Sequence, residues 1–224
     1  MAIQLIGSGG VVAEVDGSLF QAQRTAARPL DYGTRGHYSI GAITGILPAA
    51  LAANSEIFQL RWADTTRFCV VRRVSISASV STTFFAAGVP VQVDLIKSTA
   101  WTVQGTGGTD IAPTTFLKRR ATMASSLIAA GDMRIATTAA LGAGTKTLEG
   151  LSESAVVAGG PITASLNGTI FPPGTMLLDA DVGSGDHPVV LTANEGLSIR
   201  SVAVPATGTW TLAVRVDWAE TASY

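Results

Sequence analysis

The sequence predicts an all-β fold: an antiparallel two-sheet sandwich, with the jelly roll as the expected order, an extended N-terminal arm and long loops. Three observations lead there. Residues 209–219 place Trp210, Leu212, Val214, Val216 and Trp218 on one face and Thr211, Ala213, Arg215 and Asp217 on the other, the alternation of a strand buried on one side only. The same alternation recurs along the chain with Gly, Pro and Asn turns between, which favours two packed sheets over any α/β arrangement. No repeat of fixed period is evident, so a propeller or solenoid is not expected.

Taken in order, residues 2–6 and 11–15 flank a Gly-Ser-Gly-Gly segment as a small hairpin. From 21 to 54 the pattern dissolves into Arg, Gly and Pro, with one short strand at 37–43. A loop of that length inside a compact domain usually has a task, and an arm lying across a neighbouring subunit would supply one. The chain therefore divides into a hairpin and arm, 1–53, and a sandwich core, 54–224, within a single structural domain. Strands follow at 57–62, 68–80 and 89–97, the second long enough to bend or span a sheet. Phe84 and Phe85, in the connection 82–88, either cap the core or face a partner.

Gln104-Gly-Thr-Gly-Gly-Thr reads as a flexible turn. Residues 124–130 fit a turn of helix and 132–136 a strand, whereas 141–160 is a Gly, Ala, Ser and Thr loop with room for a short helix at 147–156. Sheet returns at 162–170, 176–182, 189–191, 196–202 and 210–219, with Pro172-Pro173-Gly174, Asn194-Glu-Gly and Pro205-Ala-Thr-Gly as turns.

Composition narrows the function classes. Charged residues are only 14% of the 224, against about 25% in a typical soluble domain, so much of the surface is expected to be covered by other subunits. Residues 1–120 carry 11 Lys+Arg against 7 Asp+Glu, and residues 121–224 carry 4 against 9. That split supports complementary contacts between copies only weakly. The one basic run, Lys118-Arg119-Arg120, reads as a solvated loop, and neither nucleic acid nor a membrane is an expected partner. A single cysteine, Cys69, excludes an internal disulfide and sits in a strand-like run as an inert buried thiol. The N-terminal residues lack the charge and apolar length of a signal peptide, so folding in a cytosol is expected.

No catalytic site is expected. His37 and His187 are the only candidate bases, and no Gly-x-Ser-x-Gly elbow accompanies either. They are too few for a metal centre, and a lone cysteine cannot build a structural zinc site. Asp179, Asp181 and Asp186 lie close enough in sequence to chelate a hard cation, but Gly183, Ser184 and Val190 break the EF-hand pattern. An acidic surface turn is the plainer reading; the same carboxylates would have to serve any jelly-roll glycosidase. Gly142-Ala-Gly-Thr-Lys146-Thr147 fails as a phosphate loop because its first glycine is missing. Cofactors and metals are accordingly not expected.

Several stretches carry a family resemblance. Gly41-Ala-Ile-Thr-Gly-Ile-Leu-Pro, Asn54-Ser-Glu-Ile-Phe-Gln-Leu-Arg-Trp, Arg72-Arg73-Val, Thr99-Ala-Trp-Thr-Val-Gln-Gly-Thr-Gly-Gly-Thr, Arg134-Ile-Ala-Thr-Thr-Ala-Ala-Leu-Gly-Ala-Gly-Thr and Ala206-Thr-Gly-Thr-Trp-Thr-Leu-Ala-Val-Arg-Val-Asp-Trp-Ala-Glu together resemble small virion proteins of tailed bacteriophages, from about residue 36 onward. The resemblance implies a non-enzymatic capsid decoration, or cement, protein. Such a protein binds the outside of the shell, has the major capsid protein as partner, often forms homotrimers, and is made in the bacterial host cytoplasm. On that reading Arg24, Arg28 and Arg35 are the expected arm contacts and Phe84 and Phe85 the apolar anchors, many weak contacts summing to tight binding. The alternative is a tail, neck or fibre component that would bind host glycans through Trp62 and Trp101.

Overall fold

In the computed structural model the described residues are 5–6, 12–13, 36–49, 51–83, 85, 90–150, 152–158, 168–180, 187–204 and 206–222. They form two packed antiparallel sheets and a separate two-stranded pair, β1 (Leu5–Ile6) with β2 (Val12–Ala13). The remaining strands are β3 (His37–Ile43), β4 (Leu47–Pro48), β5 (Ser55–Trp62), β6 (Phe68–Val80), β7 (Val91–Val103), β8 (Thr109–Asp110) and β9 (Leu117–Lys118). After these come β10 (Met133–Ile135), β11 (Thr145–Leu148), β12 (Ser154–Ala158), β13 (Thr169–Asp179), β14 (Val189–Leu191), β15 (Glu195–Ala203) and β16 (Thr209–Thr221). One turn of 3-10 helix, Pro113–Thr115, is the helical element among the described residues.

The first sheet runs β8-β10-β5-β15-β7, with β11 and β12 sharing the outer edge of β7. The second runs β9-β3-β16-β6, with β13 and β14 sharing the edge of β6 and β4 completing β16 beside β3. Successive long strands alternate between sheets: β5 in the first, β6 in the second, β7 in the first.

The alternation that defined β16 does what it predicts. Trp210, Leu212, Val214, Val216 and Trp218 are all buried between the sheets, and β3 and β6 occupy the residues expected of them. All four tryptophans are fully buried, and each indole N–H finds an acceptor: Arg67 O for Trp62, Val103 O for Trp101, Pro48 O for Trp210 and a Glu220 carboxylate oxygen for Trp218. A buried indole left without such an acceptor would carry a desolvation cost.

Trp101 lies on the outer side of the first sheet, against Gly196 of β15. A Cβ at Gly196 would stand 2.3 Å from Leu60 O and 2.5 Å from two Trp101 ring carbons. Gly196→Ala is therefore expected to lower stability by about 1–3 kcal/mol through overpacking, read as a lower urea midpoint at unchanged slope.

The structure departs from the sequence pattern in three segments. Residues 124–130 do not form a helical turn; the Leu127 N–H donates to Glu220 and the Ala124 carbonyl accepts from the Tyr38 hydroxyl, so tertiary partners replace the helical ladder. The helix expected over 147–156 is instead parts of β11 and β12. Thr145, Thr147, Val156 and Val157 have high strand preference, and the edge of β7 supplies the partners they need. Pro172-Pro173-Gly174 is not a turn between strands but an irregularity within β13, where the register on β6 shifts between Phe171 and Thr175 and Gly174 takes φ +81°. Prolines are tolerated there because β13 is an edge strand.

Residues 36–49, grouped with the arm by sequence, supply β3 and β4 of the second sheet. A truncation meant to remove the arm must therefore stop at residue 35, because deleting 1–53 would strip β3 from β16. Arg24, Arg28, Arg35 and Phe84 lie outside the described residues. Phe85 is buried at 5% exposure, so it caps the core and is not an exposed anchor. Trp62 and Trp101, with 0% exposure, are closed to any sugar.

Candidate functional site

The two outer faces of the sandwich differ. On the first sheet, loops cover the face and bury a polar cluster. Glu56 Oε2 accepts from Lys146 Nζ at 2.5 Å, from Gln59 Nε2 at 2.7 Å and from Ser198 Oγ at 2.8 Å. Lys146 also lies 3.8 Å from the centre of the Trp101 ring, and Gln59 Nε2 reaches Gly142 O of the covering loop. The Lys146 and Glu56 side chains are only 2% and 5% exposed. Burial pushes the Lys146 ammonium below the ordinary lysine range, with the Glu56 carboxylate pulling it back. The cluster has the residue types of an acid–base pair, but it is sealed from substrate and acts as a structural tie.

On the second sheet the outer face is open. Residues paired across antiparallel strands share a face, so the register writes that face out row by row. Leu117, Ser39, Asp217, Arg73 and Asp179 form one row across β9, β3, β16, β6 and β13. Gly41, Arg215, Ser75 and Met176 form the next, then Ile43, Ala213 and Ser77, then Thr211, Ser79 and Thr169. The centre is thus made of Gly, Ala, Ser and Thr, which leave a shallow depression of about 430 Å³ beside another of about 200 Å³. Around it stand exposed apolar side chains: Ile43 at 65%, Leu117 at 66% and Met176 at 41%.

The charged row closes one end of this face in a basin of about 400 Å³. Arg73 Nε donates to Asp179 Oδ1 at 3.1 Å, Arg119 Nη2 to Asp217 Oδ1 at 2.6 Å and Arg215 Nε to Asp217 Oδ2 at 3.0 Å. Exposed pairs of this kind contribute only about 0.2–1 kcal/mol each, so their effect is to fix side-chain positions. Arg72 also lines the basin. It is the extra residue of a bulge: Asp217 pairs with Arg73 while Trp218 pairs with Val71, and bulges re-aim the side chains they carry.

Asp179 belongs to the charged row through Arg73; Asp181 and Asp186 lie outside the described residues. Among the described residues no three His, Cys, Asp or Glu side chains are grouped to hold a metal ion. His37 borders the basin and His187 is exposed elsewhere. Cys69 is fully buried, and burial, with the nearby Glu220 charge, pushes its thiol well above the usual range. The thiolate is the reactive form, so this cysteine is inert. In the basic run, Lys118 and Arg119 are exposed and Arg119 is tied to Asp217. Sequence reasoning missed the basin and the open face, since neither bulge nor row is visible without register. The doubled Arg72-Arg73 interrupting the alternation of β6 was the available signal.

No protein-family model, curated protein or solved structure matches the chain.

Proposed function

We propose that this chain is a structural protein of a tailed-bacteriophage particle. It binds the outside of the capsid as a jelly-roll cement protein, as a homotrimer whose partner is the major capsid protein, and it acts by adhesion, not catalysis. One observation supports this reading above the others: one face of the sandwich is sealed by the chain's own loops, while the other is open, built of small residues and rimmed by Ile43, Leu117 and Met176. Small central residues let a partner's backbone approach closely, and a rim of apolar side chains supplies burial when it docks. The pairing order supports a jelly roll. Counting β11/β12 and β13/β14 as one strand each, the eight principal strands pair as β5-β15-β7-β11/β12 and β3-β16-β6-β13/β14, the interleaving of two Greek keys.

The test is the copy number of the chain in purified particles, by quantitative mass spectrometry against the shell protein. A lattice-wide count, comparable to the shell protein, is expected; a handful of copies would move the chain to the neck or tail. Ala213→Glu, at the centre of the open face, is expected to weaken particle binding at least about tenfold by burying an unpaired charge, with the thermal midpoint little changed. Binding that survives the substitution removes this face from the contact.

A further inference from the structure

We propose that the basin at the charged end of the second sheet is a receptor for a single carboxylate, supplied by an acidic side chain of the partner that docks on the open face. The identity of the partner rests on the function proposed above; the carboxylate site itself does not.

Charge inside the basin is unevenly matched. Three guanidinium groups line it, Arg72, Arg73 and Arg119, against two carboxylates, Asp179 and Asp217. Arg73 is matched by Asp179 and Arg119 by Asp217, and Arg215 leans on Asp217 from the neighbouring row. Arg72 is left over. Its Nε is buried with no hydrogen-bond acceptor, and no ion pair joins it to a carboxylate among the described residues. A desolvated donor without an acceptor is costly, and a charged one more so.

Position explains why the molecule itself does not supply the missing acceptor within the described residues. Arg72 is the bulge residue facing β16. On the opposite side β13 ends by pairing Asp179 with Arg73, and β14 begins by pairing Val189 with Val71. Arg72 therefore sits at the end of the β13 pairing, its carbonyl accepting from the Ala180 N–H at 2.8 Å, with its side chain lining the open basin. The guanidinium fork matches two coplanar oxygens. A carboxylate presents two such oxygens in one plane. On a face otherwise made of small residues and apolar rim, such a contact would fix the register of docking.

The isolated protein is sufficient for the test. With arginine side chains labelled with ¹⁵N, titration with sodium acetate at constant ionic strength is expected to shift the Arg72 Nε–H signal saturably, with millimolar affinity. Arg72→Gln is expected to abolish the saturable component, whereas Arg134→Gln, on the other sheet, leaves it intact. Arg72→Lys keeps the charge and loses the fork, and is expected to bind acetate several-fold more weakly. Should Arg72→Gln fail to fold, the lysine variant carries the comparison. Absence of saturation in the wild type, undiminished binding in Arg72→Lys, or inorganic phosphate binding about tenfold tighter than acetate would each overturn the assignment. Asp181→Asn/Asp186→Asn is expected to bind acetate as the wild type does; about tenfold tighter binding would make the chain's own acidic turn the occupant and overturn the partner assignment. A positive acetate result together with a low copy number in particles keeps the carboxylate site and rejects only the capsid reading.

Discussion

Lys146→Met is expected to cost about 3–5 kcal/mol of folding stability, because it leaves the buried Glu56 carboxylate without its cation. Glu56 Oε2 would keep only Gln59 and Ser198 as donors, too little to offset the desolvation of a charge only 5% exposed. The double variant Lys146→Met/Glu56→Gln is expected to recover most of the loss, since a buried pair replaced as a unit is often neutral. Urea unfolding of the two singles and the double closes a mutant cycle; equal destabilisation in the single and the double would show that Lys146 matters for packing alone. The pH dependence has a definite sign. Burial lowers the Lys146 value in the folded chain, so between that value and the ordinary lysine value of about 10.4 the unfolded chain binds more protons. Stability contributed by this group rises with pH across that window, and its cost is full below it. Lys97 is shifted the opposite way by its hydrogen bond to Glu149, so the diagnostic is the wild-type curve minus that of Lys146→Met.

Trp218→Ala is the second large effect, at about 3–5 kcal/mol. The indole stacks on Tyr38 with ring centres 5.6 Å apart and meets Phe116 edge-on at 5.1 Å, so it joins β16 to β3 and to the segment before β9. Its N–H also donates to Glu220 at 3.2 Å. That carboxylate is fully buried and further held by the Ser126 hydroxyl and the Leu127 N–H. Truncation thus removes a ring and a donor together. Trp218→Phe separates them: it keeps the stack, and its cost is expected to fall to about 1–3 kcal/mol, the penalty of an acceptor left short of a donor. Denaturant midpoints of the two variants make the comparison. A phenylalanine variant as unstable as the alanine one would assign the stability to the hydrogen bond.

Legibility followed locality. Trp210 to Trp218 declare their strand because burial on one side imposes a period of two on neighbours in the chain. The ends of β3 and β6 were readable for the same reason. What escaped depends on residues distant in sequence. Lys146 and Glu56 are 90 positions apart, and nothing near either one announces the other. Residues 147–156 were open to a helical reading because their small side chains carry weak periodicity; the unpaired edge of β7 decided the matter. The tryptophans offered as glycan platforms are both buried, Trp62 in the core and Trp101 on the covered outer side of the first sheet, because an aromatic beside a polar neighbour in sequence looks the same in a half-buried strand and on a surface. The open face was unreadable in a different sense. Small residues such as Ser75, Ser77 and Ala213 carry no signature alone and gain meaning only when register sets them side by side.

The way the sheet margins are finished also constrains how copies of this chain can meet. The long edges of β6 and β7 are each tiled by two shorter strands, and the opposite margins end in the two-residue strands β8 and β9. Short and interrupted margins offer another chain few consecutive unpaired N–H and C=O groups. Lateral growth by strand addition, the route to fibres, is therefore disfavoured along these described margins. Contacts made by the described sandwich are left chiefly to side chains on faces and loops.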